Sequence, residues 1–199
     1  MYDLLVRLTM PESAFKRRLV AQARIQSGHR VLDLGCGTAT LTLLAERTHP
    51  KAEFVGLDGD PMILKIAKKK ALKVVSGTAF HLAMSYEMPY ADKSFDRVLS
   101  SLFFHHLSHE DKGRTLNEVY RVLGRGGELH VADFGKPQNV LMRVAALPWR
   151  AFDGRDTTAD NVGGQLPRMF REAGFTEVCE TARYMTLFGT LALYQARKA

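Results

Sequence analysis

Cysteine is scarce in this chain of 199 residues: Cys36 and Cys179 are the two, and they form no Cys-x-x-Cys pair. A disulfide framework is thereby excluded, and reduced thiols are expected. No apolar run approaches the roughly 20 residues that cross a bilayer. The opening MYDLLVRLTMPESAFKRR lacks the succession of basic head, apolar run and small-residue cleavage site that marks a secretion signal. A cytoplasmic location without a transmembrane segment is the expectation. There is no internal repeat and no low-complexity stretch. Also missing is the last glycine of the dinucleotide fingerprint, because Thr40 stands where Gly-x-Gly-x-x-Gly requires it.

What is present is an ordinary globular composition, 46% hydrophobic and 25% charged, enough for one sizeable core and one domain over residues 1–199. Helical and strand patterns alternate with short turns, which implies an α/β fold with a parallel sheet covered on both faces. A helix is expected over 13–26, strands over 30–34, 53–57, 80–84 and 96–101, and helices over 38–48 and 109–123. Asp60 and Pro61 open a further helix, as cap and first-turn residue. Gly124, Gly126 and Gly127 are expected to end the 109–123 helix before a strand at 128–133. A loose connection over 136–160 leads to a helix at 161–173 capped by Gly174, and two strands, 177–183 and 186–197, complete the pattern.

The chemistry concentrates in VLDLGCGT, from Val31 to Thr38. Gly35 and Gly37 let the backbone turn sharply and approach a ligand, and the following helix supplies free N–H donors. Asp33, just ahead of them, would hold an ammonium group and repel a pyrophosphate. A second strand, EFVGLD, ends in Asp58 about twenty residues past the glycines, the spacing at which an acid reaches ribose hydroxyls.

With MPYADKSFDRVLSSLFFHHL and EVYRVLGRGGELHVADF added, almost the whole chain resembles the class I S-adenosylmethionine-dependent methyltransferases, near their quinone and lipid branch. The resemblance implies a Rossmann-like, doubly wound, seven-stranded sheet of order 3-2-1-4-5-7-6, mostly parallel with one antiparallel edge strand. It implies S-adenosyl-L-methionine as cofactor, S-adenosyl-L-homocysteine as product, and methyl transfer by direct displacement. Asp33, Gly35, Cys36 and Gly37 would lie along the methionine moiety, and Asp58 would take both ribose hydroxyls. Gly59 and Met62 would flank the adenine. Ala83-Met84 replaces the Gly-Asp often found after the third strand, so adenine recognition would fall to Met84 packing, to backbone groups and to Ser85. Ser101 closes the predicted cofactor set.

His105 and His106 follow the fourth strand, where either could accept a proton from a phenol, hydroxyl or enol; alternatively, one packs beside the cofactor and the other caps a turn. A metal reading of His105, His106 and His109 is disfavoured, since Glu110 and Asp111 suit the first turn of a helix. Tyr2 and Tyr90 are candidate aromatic walls, although Tyr90 equally suits the turn after Met88-Pro89. Trp149, in the loose connection, is a candidate lid or core residue.

The net charge is +7. Lys65, Lys68, Lys69 and Lys73 recur at helical spacing opposite Ile63, Ile66, Ala67 and Leu72, which reads as one solvated helix face. No aromatics interleave with them for base stacking, and the Asn-Pro-Pro-Tyr-like strand end of amino-directed base methyltransferases is missing, so nucleic acid is not the expected partner. The expected acceptor is a small molecule, apolar or anionic, methylated at O, N or C. Residues 1–27 and 136–160 would cover it, with a homodimer as one way to complete the lid. The alternatives are a nucleic-acid methyltransferase and a non-catalytic cofactor-binding module.

Overall fold

A computed structural model describes residues 12–148 and 154–199. Seven strands, β1 (Arg30–Leu34), β2 (Glu53–Asp58), β3 (Ala79–Leu82), β4 (Phe95–Ser101), β5 (Leu123–Phe134), β6 (Thr176–Thr186) and β7 (Gly189–Arg197), form one sheet in the order β3-β2-β1-β4-β5-β7-β6. The first five strands are parallel, and β7 is antiparallel to both β5 and β6. The reversed strand therefore lies one place in from the edge, not at it, and β6 is outermost.

The helices are α1 (Glu12–Gln22), α2 (Thr40–Thr48), α3 (Pro61–Lys73), α4 (His109–Val122), α5 (Val140–Ala145), α6 (Arg155–Gly163) and α7 (Leu166–Glu172). Central strands covered on both sides need apolar residues at consecutive positions, and in β1 every residue after Arg30 is buried. Because successive side chains alternate faces, Val31 joins the core formed with Phe15 and Leu41, while Leu32 joins the one formed with Leu116 and Phe170. Asp60 caps α3 as expected, its Oδ1 accepting the Met62 N–H at 2.7 Å and the Ile63 N–H at 3.3 Å.

Three expectations are corrected. Gly124, Gly126 and Gly127 lie inside β5, whose Leu123 already pairs with Phe95; the ladder then shifts register before Glu128 meets Arg97. The glycines form an irregular strand entry, with Gly126 at φ 74°. The helix expected over 161–173 is two helices, since Gly164 takes a left-handed conformation at φ 72° and ends α6. Finally, α1 stops at Gln22, and Arg24 turns the chain with φ 46°.

The C-terminal ends of β1, β2 and β4 open onto one crevice, the usual ligand position in such sheets. Beside it, α6 packs on the one-turn helix Phe104–His106. The buried Lys112 of α4 ties these parts together: its ammonium donates to the carbonyls of Leu107 and Thr157 and pairs with Asp160 at 3.3 Å. Burial pulls the Lys112 ammonium below the usual lysine range, and Asp160 opposes that shift.

Candidate active site

The crevice has a volume of about 450 Å³, within the range of small-molecule sites. Its floor is the turn after β1. Gly35 and Cys36 both donate their N–H to Leu57 O, at 2.9 and 3.0 Å, which ties the turn to the end of β2. Asp58 completes the frame: Oδ2 accepts the Gly37 N–H at 2.9 Å and Oδ1 accepts the Asp60 N–H at 3.0 Å. Each carboxylate oxygen keeps a second lone pair, so an oriented, two-pronged acceptor faces the crevice.

Asp33 lies in the same wall, 1% exposed, and accepts the Thr42 hydroxyl. Burial raises its carboxyl to about 6; Thr42 and Lys16 pull it down, while Asp58 adds to the rise. Asp33 and Asp58 thus converge on one compartment, with Lys16 of α1 contributing positive charge.

The glycines between them have different surroundings. A Cβ on Gly37 would meet nothing within 4 Å, whereas one on Gly35 would lie 2.2 Å from Phe103 Cδ2. The peptide is therefore open at Gly37 and covered by an aromatic ring at Gly35, which corrects the expectation of bare backbone at both. Cys36 lines the crevice, but a Cβ on Gly56 of β2 would stand only 3.0 Å from its Sγ, so the sulfur packs against that strand. Burial, with Asp33 and Asp58 nearby, pushes its thiol far above the ordinary range, which removes it as a nucleophile.

At the expected adenine end, Gly59, Asp60, Ile63 and Met84 form the wall. Met84 Sδ would sit 2.9 Å from a Cβ on Gly59, so the thioether packs directly over that glycine. Met62 is 69% exposed and outside the wall; Ile63, one position on, takes its place. Ser85 lines the crevice, but its hydroxyl is engaged with Thr115 Oγ1 at 2.8 Å. Tyr90 is also absent from the wall, bonding His81 Nδ1 at 3.0 Å and packing edge-on against Phe95. Tyr2 and Trp149 lie outside the described residues.

The two histidines have separate surroundings. His106 is exposed and lines the crevice beside Leu102, Phe103 and Leu107. His105 is buried outside the wall, its Nδ1 2.7 Å from Asp133 Oδ1, and the two imidazole centroids are 4.0 Å apart. Asp133 organises this turn, because Oδ2 also accepts the N–H groups of Phe103 and Phe104, at 3.0 and 2.7 Å. Burial pushes the Asp133 carboxyl up, but His105, the Phe134 N–H and His106 outweigh it and hold it low. His109 pairs instead with Asp160 at 3.0 Å.

Sequence reasoning missed Lys16, Thr38, Tyr86, Phe103 and Asp133. Asp133 could have been found, as an acid ending an apolar strand next to the histidine loop. Phe103 gave no signal, since its contact with Gly35 depends on how two strand ends meet in space. One wall atom is left over: Ser101 Oγ is buried without a hydrogen-bond partner among the described residues. An orphaned hydroxyl in a crevice wall suits a ligand that brings a polar group to it.

Residues 31–127 match the family described as a methyltransferase domain. The chain is 37% identical to the demethylmenaquinone methyltransferase of Thermus thermophilus over 138 residues, covering 68% of this chain and 62% of the relative. It is 28% identical to that of Symbiobacterium thermophilum over 208 residues, covering 92% of this chain and 81% of the relative. Among solved structures, phosphoethanolamine N-methyltransferase 2 of Haemonchus contortus, in complex with S-adenosyl-L-methionine, superposes with a TM-score of 0.78. Its identity is 14% over 93% of this chain and 52% of that one, a likeness of fold.

Proposed function

We propose that this chain, matched to a methyltransferase domain over residues 31–127, is a class I S-adenosylmethionine-dependent enzyme that methylates a small aromatic, quinone-type acceptor in the crevice at the C-terminal ends of β1, β2 and β4. The observation that carries this reading is the convergence of Asp33 and Asp58 on one compartment across the open Gly37 peptide. Asp58 would accept both hydroxyls of a ribose, for which its two oriented oxygens are suited. Asp33 would face the ammonium of the methionine moiety, and Lys16 its carboxylate. Ile63 and Met84 would sandwich the adenine, and Ser101 would satisfy its hydroxyl on the ligand. The orphaned Ser101 Oγ and the volume left open at Gly37 both support the fit.

Bound there, S-adenosylmethionine supplies a methyl group on a cationic sulfur, already activated for displacement. The chain's own task is then mainly alignment, and holding reactants in line is worth roughly 7–11 kcal/mol of a barrier. Leu102, Phe103 and Leu107 offer an apolar wall that excludes water from the acceptor. His106, on the crevice wall, would take the proton that a hydroquinone or phenol gives up as its ring carbon becomes nucleophilic. Asp133 fixes the turn that carries it, through Phe103, Phe104 and His105.

Carbon as the acceptor atom and a quinone as the acceptor rest on the names of the relatives and on this apolar wall. Incubation with isotopically labelled S-adenosylmethionine and a short-chain demethylated hydroquinone tests the proposal. A labelled, ring-methylated product is expected. Cofactor binding without transfer to that acceptor, alongside transfer to an amine or alcohol, would move the reading to another acceptor class.

A further inference from the structure

The lysine helix does not have the arrangement expected from its sequence. Of the residues read as its apolar, inward side, Ala67 is buried as expected, but Ile66 is 46% and Leu72 80% exposed; Leu64 and Ala71 complete the buried side. Exposed apolar side chains therefore stand among Lys65, Lys68, Lys69 and Lys73 on one outer surface. No acidic residue occurs between Asp60 and Glu87, so nothing within this segment neutralises the lysines.

The end of the helix is odder still. Ser76 N–H donates to Ala71 O at 3.0 Å and Val75 N–H to Leu72 O at 3.3 Å, the paired bonds of a Schellman ending. That motif requires a left-handed residue at Val75, and Val75 adopts φ 55°. Glycine is the usual occupant, and a β-branched residue there is a real outlier. The same valine is 93% exposed, and Val74 beside it is 62% exposed. Backbone strain and solvent-exposed apolar surface are both unfavourable, and among the described residues neither valine is buried.

We propose that α3 and its terminal turn dock on an anionic lipid bilayer, with the lysines at the headgroups and Leu72, Val74 and Val75 entering the boundary with the acyl chains. A basic, acid-free helix with apolar side chains on the same surface has the chemistry of an interfacial membrane helix, and each lysine near an anionic surface adds to the attraction. Nucleic acid would use the lysines but not the apolar tip, and the patch offers no aromatic ring for base stacking. The surface is separate from the cofactor wall formed by Asp33 and Asp58, so the proposal stands or falls independently of the methyltransferase reading.

The test is co-sedimentation of the whole protein with phosphatidylcholine vesicles, with and without phosphatidylglycerol. Binding is expected only to the anionic vesicles, falling at least tenfold in the Lys68→Glu/Lys69→Glu double variant and several-fold in Leu72→Ser. Val75→Gly is the decisive variant, because it removes strain and apolar contact together: its melting temperature should rise while vesicle binding falls. No sedimentation with anionic vesicles overturns the proposal, as does a Val75→Gly protein that binds them like the unaltered chain. Tight binding to polyuridylate that is insensitive to Leu72→Ser, with weaker binding to vesicles, would assign the surface to nucleic acid instead.

Discussion

The Phe103 ring occupies the space where a side chain on Gly35 would begin, 2.2 Å from the Cβ position. Two residues on, the equivalent space at Gly37 is empty to 4 Å. Both glycines have positive φ, 66° and 54°, so alanine strains the backbone by about 1–2 kcal/mol at either. Only at Gly35 does a clash add to that strain. Gly35→Ala should therefore lower the midpoint of urea unfolding clearly more than Gly37→Ala. Gly37→Ala should fold and lose affinity for S-adenosylhomocysteine, because its methyl enters the crevice. Equal unfolding midpoints for the two variants would contradict this distinction.

Asp33 sets a pH dependence whose sign follows from its burial. Its carboxyl, near 3.8 when unfolded, rises to about 6 in the fold. The folded state therefore binds this proton more tightly, and the associated stability is full below pH 4 and lost as pH climbs through 6. At pH 7.5 the ionised, buried group costs about 3 kcal/mol at 1.36 kcal/mol per pH unit. Asp33→Asn should accordingly raise the melting temperature at pH 7.5, and the gain should shrink toward zero as pH approaches 4. The same variant should bind S-adenosylhomocysteine poorly at every pH. A stability gain that is flat with pH would show that ionisation of Asp33 is not its source.

The histidine pair should divide cleanly between chemistry and structure. His106→Ala is expected to lower kcat by about 10²–10⁴, the usual worth of a positioned proton acceptor, with S-adenosylhomocysteine affinity unchanged. His105→Ala leaves Asp133 Oδ1 without its side-chain donor and should destabilise the fold by about 1–3 kcal/mol. Steady-state kinetics beside chemical denaturation separates the two. A His106→Ala enzyme with full kcat would leave alignment as the whole of the catalysis.

The parallel core was legible because β1, β2 and β4 are buried on both faces, which forces apolar residues at consecutive positions. Asp33 and Asp58 were legible for a related reason: a carboxylate at the end of such an apolar strand breaks the pattern and calls for polar partners there, which the turn N–H groups, Thr42 and the crevice supply. Less was legible where a local signal had two meanings. Gly124 to Gly127 read as a helix stop and turned out to be a strand entry, because Leu123 already finds a partner in Phe95 across the sheet. Lys65 to Lys73 read as a face opposite an apolar side, but the short β3 beneath α3 buries only Leu64, Ala67 and Ala71. Contacts such as Phe103 on Gly35, and the bond from Ser85 to Thr115 rather than to the crevice, join positions far apart in the chain and leave no periodic trace.

Isothermal titration of S-adenosylhomocysteine into the unaltered chain and into Asp58→Ala tests the central claim most directly. Asp58 is held by the Gly37 and Asp60 N–H groups so that its remaining lone pairs face the crevice. Saturable, one-to-one binding by the unaltered chain and at least a tenfold loss in Asp58→Ala are predicted. No saturation up to millimolar ligand, or equal affinity in the two proteins, would contradict the account.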